Sequence, residues 1–265
     1  MTYALKPLSI GELLDRTFSF YRTNFVLFVG IGAVPSLFIM LLSPLQLMGG
    51  SAGPLFIVLA SVILVILYCV AALLTQGATV IAVSNIQLGR PASIPGAFAG
   101  TWPRLGTLIL IALNVSLRVL LGFLLLIVPG IYLAMKYVLA LNVTVLEHTN
   151  VAQSIKRSAD LTKGHRGRIF LIYVMLFGFL VIVSAVMQAV LAILFVSIRT
   201  GQPSVLAGIA LAFGSFAIQS LLNPIITIAS ALVYYDERVR KEGFDLSHMM
   251  EQLDHPALAP SPGTP

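Results

Sequence analysis

Long apolar segments separated by short polar ones dominate this chain. The 67 residues between Arg22 and Arg90 contain no Asp, Glu, Lys, Arg or His. A transmembrane helix needs only about 20 apolar residues, so this run is long enough to cross a bilayer more than twice. The pattern therefore predicts an all-α, polytopic integral membrane protein.

Six transmembrane helices are predicted from the apolar segments, within one membrane domain over residues 1–246. Pro129 and Gly130 are expected to form a tight turn between the third and fourth spans. Pro35 and Pro224 lie inside spans and are expected to kink them. The predicted spans are Phe25–Met48, Pro54–Gln87, Leu105–Val128, Ile131–Leu146, Ile169–Ile198 and Ser204–Tyr235. Residues 247–265 are expected to form a disordered cytoplasmic tail, because they are rich in proline and poor in apolar residues.

Positive charge is distributed unevenly between the two sides that this topology creates. Thirteen of the sixteen Lys and Arg residues fall on the side of the chain ends, and Arg199 alone falls on the other side. Arg118 and Lys136 fall within spans. Since cytoplasmic loops are enriched in Lys and Arg, both termini are expected in the cytoplasm, with the protein in the inner membrane of a bacterial-type cell.

The overall composition agrees with a membrane location. Hydrophobic residues make up 58% of the chain and charged residues 10%, with a mean hydropathy of +0.98, whereas soluble domains carry about 25% charged residues. The net charge of +6 is explained by the sorting of positive residues across the bilayer. Nucleic acid is therefore not an expected partner. The single cysteine, Cys69, cannot form an internal disulfide and is expected to pack among apolar residues.

A surface helix is predicted before the first span, over residues 9–23. Ser9 and Glu12 fit a capping box, and apolar residues recur at helical spacing on one face. Such a helix is expected to lie flat in the cytoplasmic interface with its apolar face towards lipid. That face would carry Ile10, Leu13, Leu14, Thr17, Phe18, Tyr21 and Phe25.

Similar segments precede the third and the fifth predicted spans. Asn150 and Gln153 offer a second capping box 141 residues after the first, and Ser93 occupies the N-cap position of a weaker copy. The apolar stripe of the last segment would comprise Val151, Ile155 and Ala159. Two interpretations are open: three parallel repeats of a surface helix with a transmembrane hairpin, or chance similarity between short amphipathic helices.

Three motifs in this order resemble a known family. The first runs from Leu8 to Phe25, the second combines Pro129–Leu133 with Ser158–Arg166, and the third is Tyr234–Leu246. Together they resemble the membrane domain attached to some bacterial glycerophosphoryl diester phosphodiesterases, and the stand-alone proteins related to it. The resemblance covers most of the chain and implies a multi-pass membrane fold.

The resemblance does not extend to catalysis. In the fused enzymes, hydrolysis belongs to a separate soluble barrel that binds a divalent metal, and no part of this sequence is expected to encode such a barrel. The four histidines lack metal-site spacing, and we find no nucleophile elbow, Walker loop, dinucleotide-binding glycine pattern or zincin helix. We therefore expect no catalytic residues, no cofactor, no metal and no enzymatic activity.

Arg118 and Lys136, the two cations within spans, are the main candidates for function. A cation near mid-bilayer costs about 2.5–3.5 kcal/mol on insertion scales, so each needs a partner or access to water. By helix rise they would lie about 16 and 10 Å below the Pro129-Gly130 turn, opening towards the outer face. They would bind an anionic head group, or Lys136 would snorkel outwards while Arg118 bonds to amides. The amides assigned to the same ligand-binding set are Asn114, Gln188, Gln219 and Asn223.

Two further polar groups have both a functional and an ordinary interpretation. A seam of Gln219, Ser220, Asn223 and Pro224 with Thr75, Gln76 and Thr79 would line a substrate path, or would satisfy the carbonyl that Pro224 leaves unpaired. A cationic segment would contact anionic lipid at about 1 kcal/mol per residue, or would only set the topology. It comprises Lys156, Arg157, Lys163, Arg166 and Arg168. The neighbouring acids are expected to form solvated ion pairs; they are Asp160, Asp236, Glu237 and Glu242.

These features support two function classes. The first is a non-enzymatic scaffold or lipid-interacting accessory protein, whose partners would be the bilayer, anionic lipid and a protein partner or second copy. The second is a transporter or flippase for an anionic amphiphile that uses Arg118 and the polar seam. An intramembrane enzyme is disfavoured, because no acid–base pair lies within the spans.

Overall fold

The computed structural model describes residues 7–47, 53–197 and 205–254, and within these ranges the regular structure is entirely helical. A 3₁₀ turn at Trp102–Arg104 joins α4 to α5. The helices are α1 (Ile10–Thr23), α2 (Phe25–Leu47), α3 (Pro54–Gln87), α4 (Ile94–Thr101), α5 (Leu105–Leu125), α6 (Ile127–Tyr137), α7 (Ala140–Glu147), α8 (Val151–Thr162), α9 (Arg166–Ser197) and α10 (Val205–Asp254).

The predicted all-α membrane fold is confirmed. Five helical segments in the described chain are long and apolar enough to cross a membrane, and a sixth is the bent pair formed by α1 and α2. The two members of that pair meet at an angle of 90°. The five are Leu55–Gln87, Ile94–Leu125, Ile127–Glu147, Arg166–Ile193 and Ile209–Gly243.

The first amphipathic helix, α1, begins with the predicted capping box. The Glu12 N–H donates to Ser9 Oγ at 3.2 Å, and the Ser9 N–H donates to the Glu12 carboxylate at 2.7 Å. The helix then runs alongside α10, where the Tyr21 hydroxyl donates to the Leu221 carbonyl at 2.7 Å. Leu13 is fully buried. Protein, rather than lipid, therefore covers much of the apolar face that was expected to face the bilayer.

The three amphipathic helices share a pattern of caps and buried positions. Asn150 and Gln153 form the second capping box, and Ser93 accepts a hydrogen bond from the Gly96 N–H. Each helix packs against the second helix of a hairpin: α1 on α10, α4 on α3, and α8 on α6 and α7. The residues four and eight positions after the N-caps are buried in all three, namely Leu13 and Thr17, Ala97 and Thr101, and Ser154 and Ser158. This shared pattern favours three related units over chance similarity.

The helices α4 and α8 nevertheless differ from the surface helices that were predicted. The first of them, α4, packs on α3 and α2 and continues into α5 within one span candidate. The second, α8, buries its hydroxyl face: the hydroxyls of Ser158 and Thr162 donate to the Lys136 carbonyl at 3.1 and 3.2 Å. The predicted apolar stripe of α8 is only half-buried, because small hydroxyl residues allow the closer approach to α6. It comprises Val151, Ile155 and Ala159.

The turn expected at Pro129-Gly130 lies elsewhere. Helix α5 ends at Leu125, α6 begins at Ile127, and the single extended residue Leu126 joins them. Pro129 is the third residue of α6, a position that tolerates proline because N–H groups of the first turn have no intrahelical partner. The span predicted over Ile131–Leu146 is divided into α6 and α7, with a break between Tyr137 and Ala140.

At the centre, α2 packs tightly between α3 and α10. Pro224 lies within α10, which continues past it, and proline cannot donate to the carbonyl of Ser220. A Cβ atom on Gly32 would lie 2.6 Å from Pro224 Cγ and 2.9 Å from the Ser220 oxygen. Glycine therefore lets α2 approach α10 at this carbonyl.

Helix α10 is also longer than predicted, since it extends to Asp254 instead of ending near Tyr235. Two i,i+4 ion pairs, Arg240 with Asp236 and Arg238 with Glu242, continue the helix beyond its apolar part. The expected disordered tail over 247–265 therefore differs from the structure at residues 247–254, which are helical. Its remainder lies outside the described residues.

Candidate functional site

A network of charges joins Leu8, residues 165–168 at the start of α9 and residues 236–242 of α10; we call this region the charged end. Arg168 donates to the carboxylates of Asp236 and Glu237 at 2.6 and 3.1 Å and to the Leu8 carbonyl at 2.6 Å. Arg240 donates to Asp236 at 3.0 Å and to the Leu8 carbonyl at 2.5 Å. The Leu8 N–H donates to the other Asp236 oxygen at 2.7 Å. The beginning of α1 is thereby fixed to α9 and α10.

The two acids at the centre of this network are not the solvated ion pairs that were expected. The side chains of Asp236 and Glu237 are 0% exposed. His165 Nδ1 lies 2.7 Å from the second Glu237 oxygen. Removing one partner of such a buried pair leaves an uncompensated charge. The three motifs behind the family resemblance meet here through Leu8, His165 and the two acids. Their contacts join the start of α1 to α9 and α10, so the charged end holds these helices together.

A second cluster at the charged end surrounds Arg157. Its guanidinium contacts Glu147 at 3.2 Å and also bonds to Glu242. Burial alone would lower the pKa of the Arg157 guanidinium, but the hydrogen bonds to Glu242 and Glu147 raise this pKa above its ordinary value. Tyr234 donates to the same Glu147 carboxylate at 2.8 Å. Arg157, like Arg168, is therefore bound by carboxylates and is a poor candidate for contact with lipid.

The other cations proposed for lipid contact have different surroundings. Arg166 donates to the Tyr132 hydroxyl and lies 4.7 Å from the centroid of that ring. Lys156 and Lys163 are exposed, and neither forms an ion pair with the side chains that the structure describes. Their contact with lipid stays a prediction.

Arg118 and Lys136 meet at one aromatic ring. The Arg118 guanidinium lies 5.7 Å and the Lys136 ammonium 5.2 Å from the centroid of Tyr137, within the range of a cation–π interaction. Arg118 Nε also donates to Asn114 Oδ1 at 2.7 Å. Neither cation has a carboxylate partner among the described side chains. Arg118 is exposed and Lys136 half-buried, so this pair of positive charges is accessible.

The depth of this pair differs from the prediction. The backbone carbonyl of Lys136 is bound by α8 through Ser158 and Thr162. Thr162 lies three residues before His165, which belongs to the charged end. Lys136 is therefore near the charged end and not near the opposite face. The prediction assumed one straight fourth span, whereas the break after Tyr137 lets α6 turn towards α8.

The predicted amides form a separate site. Gln188, Gln219 and Asn223 line a groove of about 590 Å³ between α9 and α10, together with Ser184. Gln188 donates to Ser184 Oγ at 2.9 Å. No charged residue lines this groove, and Arg118 is not part of it. The predicted ligand-binding set therefore divides into a cationic site, which includes Asn114, and a neutral one.

The predicted polar seam is also divided. Thr75 donates to the Ile31 carbonyl at 3.4 Å, and Ser220 donates to the Phe216 carbonyl at 2.7 Å. Gln76 instead lines a cavity of about 250 Å³ that sequence reasoning missed. In that cavity, Asn142 donates to the carbonyl and hydroxyl of Ser230 at 2.9 and 2.7 Å. This cavity brings Gln76 of α3 together with Thr227 and Ser230 of α10, whereas Gln219 and Asn223 line the separate groove between α9 and α10.

A family model described as the membrane domain of glycerophosphoryl diester phosphodiesterase matches residues 115–255, a little over half of the chain. The matched range includes Arg118, Lys136 and the charged end apart from Leu8. No curated protein and no solved structure matches the chain. Among the described residues, no group of three or more His, Cys, Asp or Glu side chains could hold a metal ion.

Proposed function

This chain belongs to the family of the membrane domain of glycerophosphoryl diester phosphodiesterase, and we propose that it is a non-enzymatic membrane protein that binds anionic lipid head groups. The observation that carries this proposal is the accessible pair of Arg118 and Lys136 on the Tyr137 ring. Two cations that have no carboxylate partner among the described side chains attract an anion, and a lipid phosphate is the anion that the bilayer supplies.

The chemistry of the pair suits a phosphate. Arginine presents a planar fork of donors that matches phosphate oxygens, whereas lysine acts as a compact point charge. Asn114 already accepts from Arg118 Nε, which leaves the two terminal nitrogens of the guanidinium for a ligand. The Tyr137 ring limits the positions that both cations adopt. These side chains would therefore bind the head group with little further ordering.

The charged end supports the scaffold part of this proposal. Its arginines are occupied by carboxylates and by the Leu8 backbone, so their role is to fix α1, α9 and α10 to one another. We place the charged end in the cytoplasm and the protein in the cell's inner membrane, because lysines and arginines concentrate on that side.

Lipid binding is tested by removing both cations that contact the Tyr137 ring. The Arg118→Gln, Lys136→Gln double variant should bind short-chain phosphatidylglycerol about 30-fold more weakly, since each basic residue contributes about 1 kcal/mol. Native mass spectrometry of the detergent-solubilised protein measures the bound lipid, and phosphatidylcholine serves as the uncharged comparison.

The matched control is the double variant Arg22→Gln, Arg90→Gln, which removes two exposed positive charges elsewhere. It should keep the preference for phosphatidylglycerol. Equal losses in the two double variants would mean that only net charge matters, and the proposal would then fail.

The groove between α9 and α10 favours a second candidate function, the transport of an amphiphile. Its amides lie among apolar residues, where a polar group without a partner costs free energy. A substrate would supply that partner, as would a helix of a second copy or of another protein. Transport predicts that Gln188→Cys and Asn223→Cys, in a Cys69→Ser background, react with an aqueous thiol reagent. Protection of both positions in every condition would count against it.

A further inference from the structure

The turn between α5 and α6 is entirely apolar and exposed. Leu125 is 78% and Leu126 68% exposed, and the flanking residues Leu124, Ile127 and Val128 are exposed to a similar extent. A connection that faces water ordinarily contains polar or turn-forming residues. The exposed surface of this turn instead suits contact with hydrocarbon.

At Leu126, the single extended residue of the turn, both backbone polar groups are paired within the protein. The Leu126 N–H donates to the Gly122 carbonyl at 3.1 Å, and the Gly130 N–H donates to the Leu126 carbonyl at 3.3 Å. A Cβ atom on Gly122 would lie 3.0 Å from the Cα of Gly130, so glycines allow the two helices to meet directly at the turn. Hydrocarbon requires backbone polar groups to be paired within the protein, and the N–H and carbonyl of Leu126 meet that requirement.

The base of the hairpin is held near the charged end. The Lys136 carbonyl is bound by Thr162 at 3.2 Å, and Tyr132 is bound by Arg166. The ten residues from Leu126 to Lys136 rise about 15 Å as a helix, which is half of the roughly 30 Å hydrocarbon core. A hairpin anchored at this height does not reach the opposite surface.

The charges fit the same placement. Arg118 lies eight residues before Leu126, or about 12 Å along α5, and so stands at the height of Lys136. Both cations are then level with phosphates of the membrane surface, where they do not incur the cost of a charge at mid-bilayer. The apolar tip and the cationic base thus match the acyl chains and head groups of a single leaflet.

We propose that α5 and α6 form a re-entrant hairpin that enters and leaves the bilayer on the side of the charged end. Its tip at Leu126 lies among the acyl chains near the bilayer centre, and its base binds the head groups of the same leaflet. The head-group contact rests on the proposed function, whereas the depth of the tip is inferred from the exposed apolar turn, the length of α6 and its contacts near the charged end. The chain then crosses the membrane through α2, α3, α9 and α10, which keeps α1 and the end of α10 on one side.

Cysteine labelling tests the depth of the tip in a Cys69→Ser background. Leu126→Cys should resist a membrane-impermeant maleimide applied from either side of inner-membrane vesicles of both orientations. Gly53→Cys, at the opposite end of α3, is the matched control and should react from the side remote from the charged end. A fluorophore attached to Leu126→Cys with a permeant reagent should be quenched more by lipids carrying a nitroxide deep in the acyl chain than at the head group.

Reaction of Leu126→Cys from either side, or stronger quenching by the head-group nitroxide, would overturn the proposal. Val128→Cys provides a second tip position if the first variant does not purify as a monodisperse protein. The quenching experiment measures the depth of the tip and does not depend on which lipid the protein binds. It is therefore informative whether or not the Arg118→Gln, Lys136→Gln variant loses its binding of phosphatidylglycerol. The two proposals can therefore fail separately.

Discussion

Asp236 shows how a single side chain joins three parts of the chain. Its carboxylate accepts hydrogen bonds from Arg168 of α9, from Arg240 one turn later in α10, and from the Leu8 N–H before α1. The side chain is fully buried. In water such a pair contributes little, but here one buried carboxylate accepts hydrogen bonds from two arginines and a backbone amide.

Replacing this carboxylate should have a large effect on stability. Asp236→Asn leaves Arg168 and Arg240 without a shared negative charge and should lower the free energy of unfolding by about 3–5 kcal/mol. Thermal unfolding in detergent measures the loss. Asp15→Asn removes the same charge from an exposed position of α1 and should change stability by no more than about 0.5 kcal/mol. Similar melting temperatures for the two variants would show that the buried network does not stabilise the fold.

At the scale of elements, close approach between helices depends on a few glycines. Gly32 brings α2 onto the Ser220 carbonyl that Pro224 leaves without an intrahelical donor. Gly122 brings α5 onto α6 beside the turn at Leu126. In both places the structure uses backbone contact where a side chain would separate the helices. Small residues serve the same purpose in many membrane proteins.

Adding one methyl group at the α2–α10 contact should therefore weaken the bundle. In Gly32→Ala, the new Cβ would meet Pro224 and the backbone oxygen of Ser220, so unfolding should become easier by about 1–3 kcal/mol. The comparison is Gly178→Ala in α9, where no atom lies within 4 Å of the added Cβ. That variant should be neutral or more stable by up to about 1 kcal/mol, because alanine favours helix. Thermal unfolding should give a lower melting temperature for Gly32→Ala than for Gly178→Ala, and the opposite order would contradict the prediction.

Some features of the helices could be predicted from the sequence, and others could not. The capping boxes of α1 and α8 could be predicted because they depend on residues three positions apart. The end of α10 and the turn at Leu126 could not. Their positions depend on ion pairs beyond the apolar segment and on the contact of Gly122 with Gly130, neither of which hydropathy records.

At the scale of the whole molecule, three amphipathic helices pack in an equivalent way. Helix α4 lies on α3, α8 on α6 and α7, and α1 on α10, so the first unit is joined to the last through the ends of the chain. Helix α1 reaches its partner over a separation of 200 residues, as the bond from Tyr21 to Leu221 shows. The packing of α1 on α10 explains why the charged end contains residues from both ends of the chain.

The sequence predicted which residues form the candidate site but not how they are arranged. Arg118 and Lys136 were identifiable because a cation within an apolar segment is costly. Their meeting on Tyr137 was not, since it depends on the way in which α6 folds back against α5. Among the five cations of the α8 region, Arg157 and Arg168 could not be separated from Lys156 and Lys163 by sequence. Their carboxylate partners come from distant positions, such as Asp236 and Glu242.

The sequence by itself determined that this is an all-helical membrane protein, because helix formation and burial in lipid follow from the local spacing of apolar residues. It also determined the caps of the amphipathic helices, which are local hydrogen bonds. Only the tertiary structure decided how deep the charged residues lie and which of them are free to bind a ligand. The depth of a charged residue depends on where its helix breaks and what the helix packs against. Whether its charge is already paired depends on carboxylates as far as 85 residues away, as for Arg157 and Glu242.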